Sequence, residues 1–405
     1  MNIHTLNNGI RLVHLPDVSP VVYCGFAINA GTRDEYVHEH GMAHFVEHML
    51  FKGTEKRKSR HIINCLESVG GELDAYTTKE ETFIYAGVPT SFTERAIELL
   101  SDLVFHSVFP AKELSCELEV VLDEIQSYKD APSELIYDDY EDILFANSSV
   151  GRNILGQESC LRQFTPAMLS DFVRRCYTTD QILFFATGEI PETKLIRWAE
   201  KYFQCPATRR SFTRETPPPV VPQIVLREKE TFQTHCMLGN RAYPLGHEKR
   251  AALILLNNIL GGPCMGSRLN LSIREKNGLA YTIDSSLSPY SDTGAWHIYF
   301  GCDNKNRRRC LELVHRELCQ LAAHPLSERQ LATAKRQFAG QFLIAAQNRE
   351  NRILTVARSF LHLNRCTEME TKMLPERIAC ITAEELRQIA ETIFRKEDLI
   401  QLTYH

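Results

Sequence analysis

Residues His44, Glu47 and His48 have the types and the spacing that a metal centre needs. At about 100° per residue, a helix through residues 41–51 places the two imidazoles one turn apart on one face, with the carboxylate beside the second. Imidazoles four residues apart can both bind one Zn²⁺, at nitrogen–metal distances of roughly 2.0–2.1 Å. A carboxylate one position before the second histidine can reach a water on the metal without being a ligand itself. The pattern therefore predicts a zinc site with a carboxylate base beside it.

The alternative is a pair of histidines that meet by chance on a solvated helix. The remainder of this helix is apolar, however, since its opposite arc holds Met42, Phe45, Val46, Met49 and Leu50. A buried charged glutamate between two imidazoles also needs a compensating partner. The order H-x-x-E-H is, moreover, the reverse of the common H-E-x-x-H motif of zinc peptidases. These observations favour a metal site over a solvated pair.

A third ligand is predicted on a second amphipathic helix at about 111–128. Its apolar stripe consists of Leu114, Leu118, Val121, Ile125 and Tyr128. Glu117 and Glu124 lie seven residues apart on one side of that stripe, whereas Glu119 and Asp123 point towards solvent. Because a carboxylate is a common third ligand of zinc, Glu124 is the candidate ligand and Glu117 a group that supports a ligand from behind. Alternatively, both are boundary glutamates of an ordinary amphipathic helix.

The composition excludes several classes of protein. The chain has 405 residues, 43% of them hydrophobic, which suits two or three domains with sizeable cores. Its net charge of -5 gives no support for binding to nucleic acid or a membrane surface. The 13 cysteines include no C-x-x-C pair, which fits a reducing compartment better than a disulfide framework. Without a recognisable signal peptide or a run of about 18 apolar residues, we expect a cytoplasmic protein with no nucleic-acid or membrane partner.

The pattern of apolar and turn residues predicts both secondary structure and domains. Strands are expected at 10–15, 21–30, 72–86 (two strands), 182–188, 223–239, 280–288 and 294–301, and further helices at 59–69, 91–106, 247–260, 267–275, 306–322 and 328–362. The proline-rich stretch 206–222 is expected to be an extended linker between domains at 1–205 and 223–405. The halves share a strand–helix–strand–helix order, which indicates a weak internal duplication. Since Leu256–Leu260 replaces the histidine motif in the second half, the chemistry is expected in the first half only.

The segment 72–86 is rich in threonine and tyrosine and is predicted to form two strands. A strand close to the metal site could accept an extended peptide by β-addition. An ordinary hairpin is the alternative.

The stretch His44–Thr54 resembles the metal helix and following turn of the M16 (pitrilysin or inverzincin) zinc metallopeptidases. Its closest likeness is to their short, bacterial, processing-peptidase-like members. In that family the third zinc ligand is a downstream glutamate, at the position of Glu124, and an assisting glutamate lies seven residues earlier, at Glu117. The resemblance extends over nearly the whole chain.

Two other segments resemble substrate-binding parts of the family. Residues 70–77 resemble its peptide-binding edge strand, which implies that Asp74, Ala75 and Tyr76 bind substrate. The family usually has asparagine at the position of Asp74, and the effect of this change on peptide preference or pH dependence stays open. Arg274 and Tyr281 keep the spacing of the family's arginine–tyrosine pair. Without the family, they are a loop arginine and a strand tyrosine.

The resemblance implies an α+β fold with two homologous domains, each a mostly antiparallel mixed sheet packed with helices, forming half of a clamshell chamber. It implies a zinc endopeptidase that cleaves unfolded or extended peptides as a homodimer, with one Zn²⁺ per chain. The metal would be held by His44, His48 and Glu124, with Glu47 as general base. Arg274 and Tyr281 would bind substrate carbonyls, across the cleft or from a partner subunit.

Two other functions were weighed against a peptidase. Some family members are catalytically silent partner subunits, but they generally lose motif residues that this chain keeps. A structural zinc site usually has four protein ligands, and only three are found here. The sequence leaves open the physiological substrate, the cleavage preference, the choice between homodimer and heterodimer, and the native metal beyond its ligand types.

Overall fold

A computed structural model describes residues 1–363 and 367–405. The chain divides into two compact units. Unit 1 consists of Met1–Gln126, Arg152–Glu215 and Asn348–Glu368, and unit 2 of Ser127–Gly151, Thr216–Gln347 and Met369–His405.

Each unit contains one β-sheet. The strands are β1 (Asn2–Thr5), β2 (Arg11–Pro16), β3 (Val21–Ile28), β4 (Glu72–Thr77), β5 (Thr82–Pro89), β6 (Ile182–Gly188), β7 (Ile224–Arg227), β8 (Thr234–Arg241), β9 (Ala280–Pro289), β10 (Gly294–Cys302) and β11 (Ile400–Tyr404).

Helices pack on both sheets. They are α1 (Met42–Leu50), α2 (Ser59–Glu67), α3 (Thr93–His106), α4 (Ala111–Lys129), α5 (Pro132–Leu144), α6 (Glu158–Leu161), α7 (Pro166–Cys176), α8 (Glu192–Tyr202), α9 (Arg250–Gly261), α10 (Arg307–Ala323), α11 (Glu328–Ala345), α12 (Arg349–Leu363), α13 (Thr367–Cys380) and α14 (Ala383–Ile393). Within the described residues, no helix has both the length and the apolar character needed to cross a membrane.

The sheet of unit 1 has the order β1-β2-β6-β3-β5-β4. Its pairs are antiparallel except for β2 with β6. The main core of unit 1 joins α1, α3 and α7 to one face of this sheet. Because β4 is an edge strand, its outer side has no paired strand, and α1 contacts β4 directly.

The sheet of unit 2 repeats this topology in the order β7-β11-β8-β10-β9. Here too one pair is parallel, β7 with β11, and the others are antiparallel. Helix α9 follows β8 as α1 follows β3, and α11 occupies the place of α4 in the order of elements. The predicted α+β class with two similar domains is therefore confirmed.

Each unit takes one helix from the opposite half of the sequence. In unit 2, α5 packs Ile136 and Tyr140 against the face of the sheet that carries Met237. In unit 1, α12 packs Ile353, Val356 and Phe360 against Val13, Phe83 and Phe185. The domain boundaries predicted from the sequence, at 205 and 223, place α5 in the first domain and α12 in the second, so they do not include this exchange.

Two predicted helices are wrong in detail. The single helix expected at 328–362 is two helices, α11 and α12, which belong to different units. The break contains no glycine or proline, and α12 begins where Asn348 Oδ1 accepts a hydrogen bond from the Asn351 amide (2.9 Å). The helix expected at 267–275 is instead a π-helical turn over Asn270–Glu275, closed by a hydrogen bond from Lys276 N to Leu271 O (3.1 Å).

The predicted linker contains no helix or strand, yet its first part is fixed to unit 1. Arg214 binds Asp34 with both Nε and Nη2, at 2.9 and 2.7 Å, and donates to the Glu80 carbonyl at 2.7 Å. All three side chains are buried or nearly so. A buried arginine–carboxylate pair of this geometry restrains the chain next to the start of the metal helix.

Candidate metal centre

Helix α1 starts at a close contact between the backbones of two glycines. Gly41 and Gly156 have φ values of 99° and 85°, a region that side chains rarely adopt. A Cβ built on Gly156 would lie 2.4 Å from the Gly41 Cα atom, and one on Gly41 would lie 2.8 Å from the Gly156 Cα atom. Only glycine fits at both positions, and the contact fixes the point at which the chain enters α1.

Glu35 caps the N-terminus of α1. Its carboxylate accepts hydrogen bonds from the amides of Gly41 (3.0 Å) and Ala43 (2.8 Å). Burial raises the pKa of Glu35 well above its ordinary value, and the two amide hydrogen bonds oppose that shift. By accepting two of the amides that a helix leaves free at its start, Glu35 fixes the position of the N-terminus of α1. Glu35 was not predicted as part of the site, because it lies six residues before the N-cap Gly41 and reaches the helix only through the fold of the intervening turn.

The apolar side of α1 holds the two histidines in place. Met42, Phe45, Val46, Met49 and Leu50 are all fully buried in the core of unit 1. The polar side faces α4, where Glu117 is buried while Glu119 and Asp123 are exposed, as the helical periodicity predicts.

The structure brings His44, His48 and Glu124 together. The two Nε2 atoms are 3.2 Å apart, and Glu124 Oε2 lies 3.7 Å from each of them. Ligand atoms about 2.05 Å from a tetrahedral zinc are separated by about 3.3 Å. The three side chains therefore have both the atom types and the spacing of zinc ligands. Within the described part of the chain, the ligand atoms of these three side chains all lie within 4.8 Å of one another, which is close enough to hold one metal ion.

The charge state of His44 suits a ligand. Burial, followed by the neighbouring His48, lowers the pKa of His44 to about 3. His44 is therefore neutral at physiological pH and can offer a lone pair on Nε2. Its Nδ1 is buried and has no hydrogen-bond partner among the described residues.

Glu117 fixes the orientation of His48. Its Oε1 lies 2.9 Å from His48 Nδ1, and its Oε2 lies 2.5 Å from Lys52 Nζ. A carboxylate that accepts the Nδ1 proton of a histidine leaves the Nε2 lone pair for a metal. Lys52 was not predicted as part of the site. Glu117 is only 6% exposed, and a carboxylate buried to that extent needs a positive charge beside it, which Lys52 supplies.

Glu47 lies on α1 between the two histidines and is half-buried. Its Oε2 is buried and unpartnered within the described structure. Burial raises the pKa of Glu47, and a hydrogen bond from the Thr77 hydroxyl partly opposes the shift. Thr77, at the end of β4, was also missed, since its contact depends on how the edge strand packs against α1.

The predicted substrate strand lies beside the metal helix as an edge strand. Leu73 and Ala75 pack on the core side, the side on which Thr77 meets Glu47. Asp74 and Tyr76 face the other way. Asp74 Oδ2 accepts from the Tyr85 hydroxyl at 3.1 Å, and Asp74 Oδ1 accepts from the Ala75 amide at 2.8 Å. The ring of Tyr76 stacks on that of Phe83, with centroids 5.0 Å apart.

Arg274 and Tyr281 both lie in unit 2. Arg274 is in the π-helical turn, and its guanidinium lies 5.7 Å from the centroid of the Tyr281 ring. Tyr281 is on β9 and is 79% exposed. Arg274 Nε also lies 3.7 Å from Glu275 Oε1. The structure thus brings these two predicted residues into contact with each other on the surface of unit 2.

The donor set indicates a catalytic rather than a structural metal site. Structural zinc sites close with four protein ligands, whereas catalytic sites use three and keep a position for water or substrate. Two imidazoles, one carboxylate and an adjacent unpaired glutamate oxygen match the second kind. The supporting contacts of Glu117 and Lys52 are of the type that tunes such ligands.

Comparisons with known proteins identify the family of this chain. Residues 12–158 match the family model described as Insulinase (Peptidase family M16), and residues 163–338 match the one described as Peptidase M16 inactive domain. The chain is 31% identical to an uncharacterized zinc protease of Bacillus subtilis over 98% of this chain and 97% of that protein. It is 30% identical to one of Mycobacterium tuberculosis over 97% of this chain and 90% of that protein.

Solved structures show the same fold. A crystal structure described as a peptidase M16 inactive domain from Pseudomonas fluorescens superposes with a TM-score of 0.92 at 19% identity, covering 100% of this chain and 98% of that one. A protease from Helicobacter pylori gives 0.90 at 17% identity, covering 100% and 99%. The fold, the site and the matches over nearly the full length show that this chain belongs to the M16 peptidase family.

Proposed function

We propose that this protein is a zinc-dependent endopeptidase that cleaves unfolded or extended peptides. The observation that carries the proposal is the cluster of His44, His48 and Glu124 with the unpaired Oε2 of Glu47 beside it. The names of the relatives, which are zinc proteases, support the same class of reaction.

Each residue of the site has a part in the proposed reaction. Zinc held by His44, His48 and Glu124 would supply a Lewis acid that lowers the pKa of a water and polarises the scissile carbonyl. Glu47 takes a proton from the attacking water and passes it to the leaving amine nitrogen, so that one peptide bond and one water become a carboxylic acid and an amine. Glu117 keeps the Nδ1 proton of His48 in place, and Thr77 on the neighbouring strand β4 opposes the rise in the pKa of Glu47.

The edge strand supports a peptide as the substrate. A peptide that adds to β4 would gain its affinity from backbone hydrogen bonds, so sequence preference should be loose. We assign Asp74, Ala75 and Tyr76 to this contact on the strength of the family resemblance. On the same ground Arg274 and Tyr281 are assigned to substrate carbonyls, and a homodimer is the proposed assembly.

The test is cleavage of a quenched, unstructured peptide by the wild type and by Glu47→Gln, both loaded with zinc. The wild type should cleave the peptide and lose activity with a chelator. Glu47→Gln should retain about one zinc per chain but show no turnover, because the amide cannot accept the proton. Glu119→Gln, an exposed glutamate on α4, is the matched control and should behave as the wild type.

Two results would contradict the proposal. Turnover by Glu47→Gln at the wild-type rate would remove the base assignment. A zinc-loaded wild type that cleaves no peptide would instead point to a catalytically silent subunit, and a search for its partner would follow.

A further inference from the structure

A cavity of about 380 Å³ lies within unit 2. It is lined by Asn258, Ile259, Gly266, Ser267, Arg268, Leu326, Arg329, Gln330, Thr333, Ala334 and Gln337. Its volume falls in the range of pockets that take small ligands, roughly 300–1,000 Å³. The proposed peptidase reaction makes no use of it.

The cavity lies beside the two helices of unit 2 that correspond, in the order of elements, to the helices of the metal centre. Its walls come mainly from α9 and α11, the counterparts of α1 and α4 in the order of elements. In unit 1 those helices carry His44, His48 and Glu124. The residues that line the cavity include no histidine, cysteine, aspartate or glutamate, so they do not form a metal site of the kind found in unit 1.

Two guanidinium groups give the cavity a positive potential. The Arg268 side chain is 25% exposed, and its Nη1 lies 3.9 Å from Glu317 Oε2, at the long end of the range for an ion pair. Burial lowers the pKa of Arg268, and the charge of Glu317 partly opposes that shift. Arg329 lies in the first turn of α11, where the partial positive charge of the backbone N–H groups disfavours a cation. An anionic ligand could pair with both guanidinium groups.

The remaining lining suits a peptide rather than a bare inorganic anion. Gln330 Oε1 already accepts hydrogen bonds from Ser327, so its NH₂ group is the part left to donate. Asn258 and Gln337 add two more amides that can pair with peptide groups. Ile259, Leu326 and Ala334 add apolar surface, which an aliphatic side chain would cover.

We propose that this cavity binds the C-terminal carboxylate of a short peptide, with Arg268 and Arg329 as the cationic contacts. Guanidinium groups pair with carboxylates through two parallel hydrogen bonds, which gives both strength and orientation. The proposal goes beyond the peptidase function and does not depend on it, because binding in unit 2 requires no turnover.

The test measures binding of a fluorescently labelled alanine–leucine pentapeptide with a free C-terminal carboxylate, and of the same peptide with a C-terminal amide. The full-length Glu47→Gln protein is used so that the probe stays intact. The free acid should bind at least tenfold more tightly than the amide, since a hydrogen bond to a charged group contributes about that much. Arg329→Gln should weaken binding of the free acid about tenfold and leave binding of the amide unchanged.

The controls distinguish the effect of this contact from a general effect of protein charge and from a loss of folding. Arg308→Gln removes an arginine that lies on α10, is 93% exposed and does not line the cavity, so it should keep the wild-type affinity. Arg329 is exposed, so its variant should keep the wild-type unfolding midpoint. Arg268→Gln, if folded, should repeat the effect of Arg329→Gln.

Three results would overturn the proposal. The first is equal affinity for the free acid and the amide. The second is an unchanged affinity of Arg329→Gln for the free acid. The third is displacement of the peptide by inorganic phosphate at a concentration no higher than that of the free peptide. Failure of the metal centre to cleave peptides would affect none of these measurements.

Discussion

Replacing Glu117 by glutamine should weaken zinc binding without removing a ligand. Glu117 Oε1 lies 2.9 Å from His48 Nδ1, and its side chain is 8% exposed, so the hydrogen bond is poorly screened by solvent. Glutamine keeps an oxygen acceptor but loses the negative charge, which makes His48 a poorer donor to the metal. Loss of a carboxylate behind a ligating histidine typically costs 10–100-fold in metal affinity. We therefore expect zinc to bind about 10–100-fold more weakly, or about 1.4–2.8 kcal/mol.

The assay is competition for zinc against a chromophoric chelator. Glu119→Gln is the control, because it makes the same change on the exposed side of the same helix. A Glu117→Gln protein with a zinc affinity within twofold of Glu119→Gln would refute the reasoning, since Glu117 would then be a bystander. In excess zinc, Glu117→Gln should unfold at a lower midpoint than Glu119→Gln, because stabilisation by a bound metal grows with the logarithm of its affinity.

Lys52 provides an internal check on the same chain of contacts. Lys52 Nζ lies 2.5 Å from Glu117 Oε2, so Lys52→Met should also weaken zinc binding by leaving the carboxylate poorly compensated. In a Glu117→Gln background the same substitution should have little further effect. Additive losses in the double variant would show that the two residues act independently.

Three further predictions follow from other contacts. Tyr281→Phe should lower kcat by roughly 10²–10³-fold with unchanged zinc content, if its hydroxyl binds the substrate oxyanion; full activity in the peptide assay would remove this assignment. Gly156→Ala should lower stability to urea by about 2–4 kcal/mol, since it adds a steric conflict to the strain of a positive φ. Gly70 also has a positive φ, 73°, but a Cβ built there would have no atom within 4 Å, so Gly70→Ala should show the loss from backbone strain alone. Equal losses of stability in the two variants would contradict the packing argument. Glu81→Gln should lower the free energy of unfolding above pH 4.5, the ordinary pKa of the carboxyl. In urea melts, the difference in free energy from the wild type should shrink as the pH falls below that value.

The sign of the pH effect follows from the surroundings of Glu81. Burial raises the pKa of Glu81, but a hydrogen bond from His362 and the charge of Arg358 outweigh it, so the folded-state pKa is lowered. A lowered pKa contributes stability above the unfolded value, and that contribution is lost as the pH falls through the folded value. A constant difference between pH 7 and pH 3 would show that Glu81 does not stabilise the fold as an ion.

The ligands of the proposed metal centre were accessible from sequence because they obey local periodicity. His44 and His48 share a face of one helix, and Glu117 and Glu124 share a face of another, so spacing alone predicts that each pair points the same way. The contacts that join different elements were not accessible. Lys52 with Glu117 and Thr77 with Glu47 depend on how α1 packs against α4 and β4.

The break between α11 and α12 was missed for a related reason. Residues 346–348 contain neither glycine nor proline, and the helical pattern runs on through them. The helices separate because they pack in different units, α11 against α9 in unit 2 and α12 against the sheet of unit 1, and that choice is a tertiary property. The same holds for α5 and α12, whose apolar residues look alike in sequence whichever sheet they cover.

The exchange of helices has a consequence for synthesis of the chain. The sheet of unit 1 is complete once β6 has ended at Gly188, but α12, which covers the face with Val13, Phe83 and Phe185, begins only at Arg349. At about 5–20 residues per second, the ribosome takes roughly 8–30 s to make the intervening chain.

During that interval the emerging chain carries an uncovered apolar sheet face. Exposed surface of this kind is where nascent chains aggregate or recruit chaperones. A chain that ends in the proline-rich segment would keep every residue of the metal centre, yet it would never receive the helix that covers its sheet. Dividing the gene at that segment should therefore yield an insoluble N-terminal half, which becomes soluble when the C-terminal half is made alongside it.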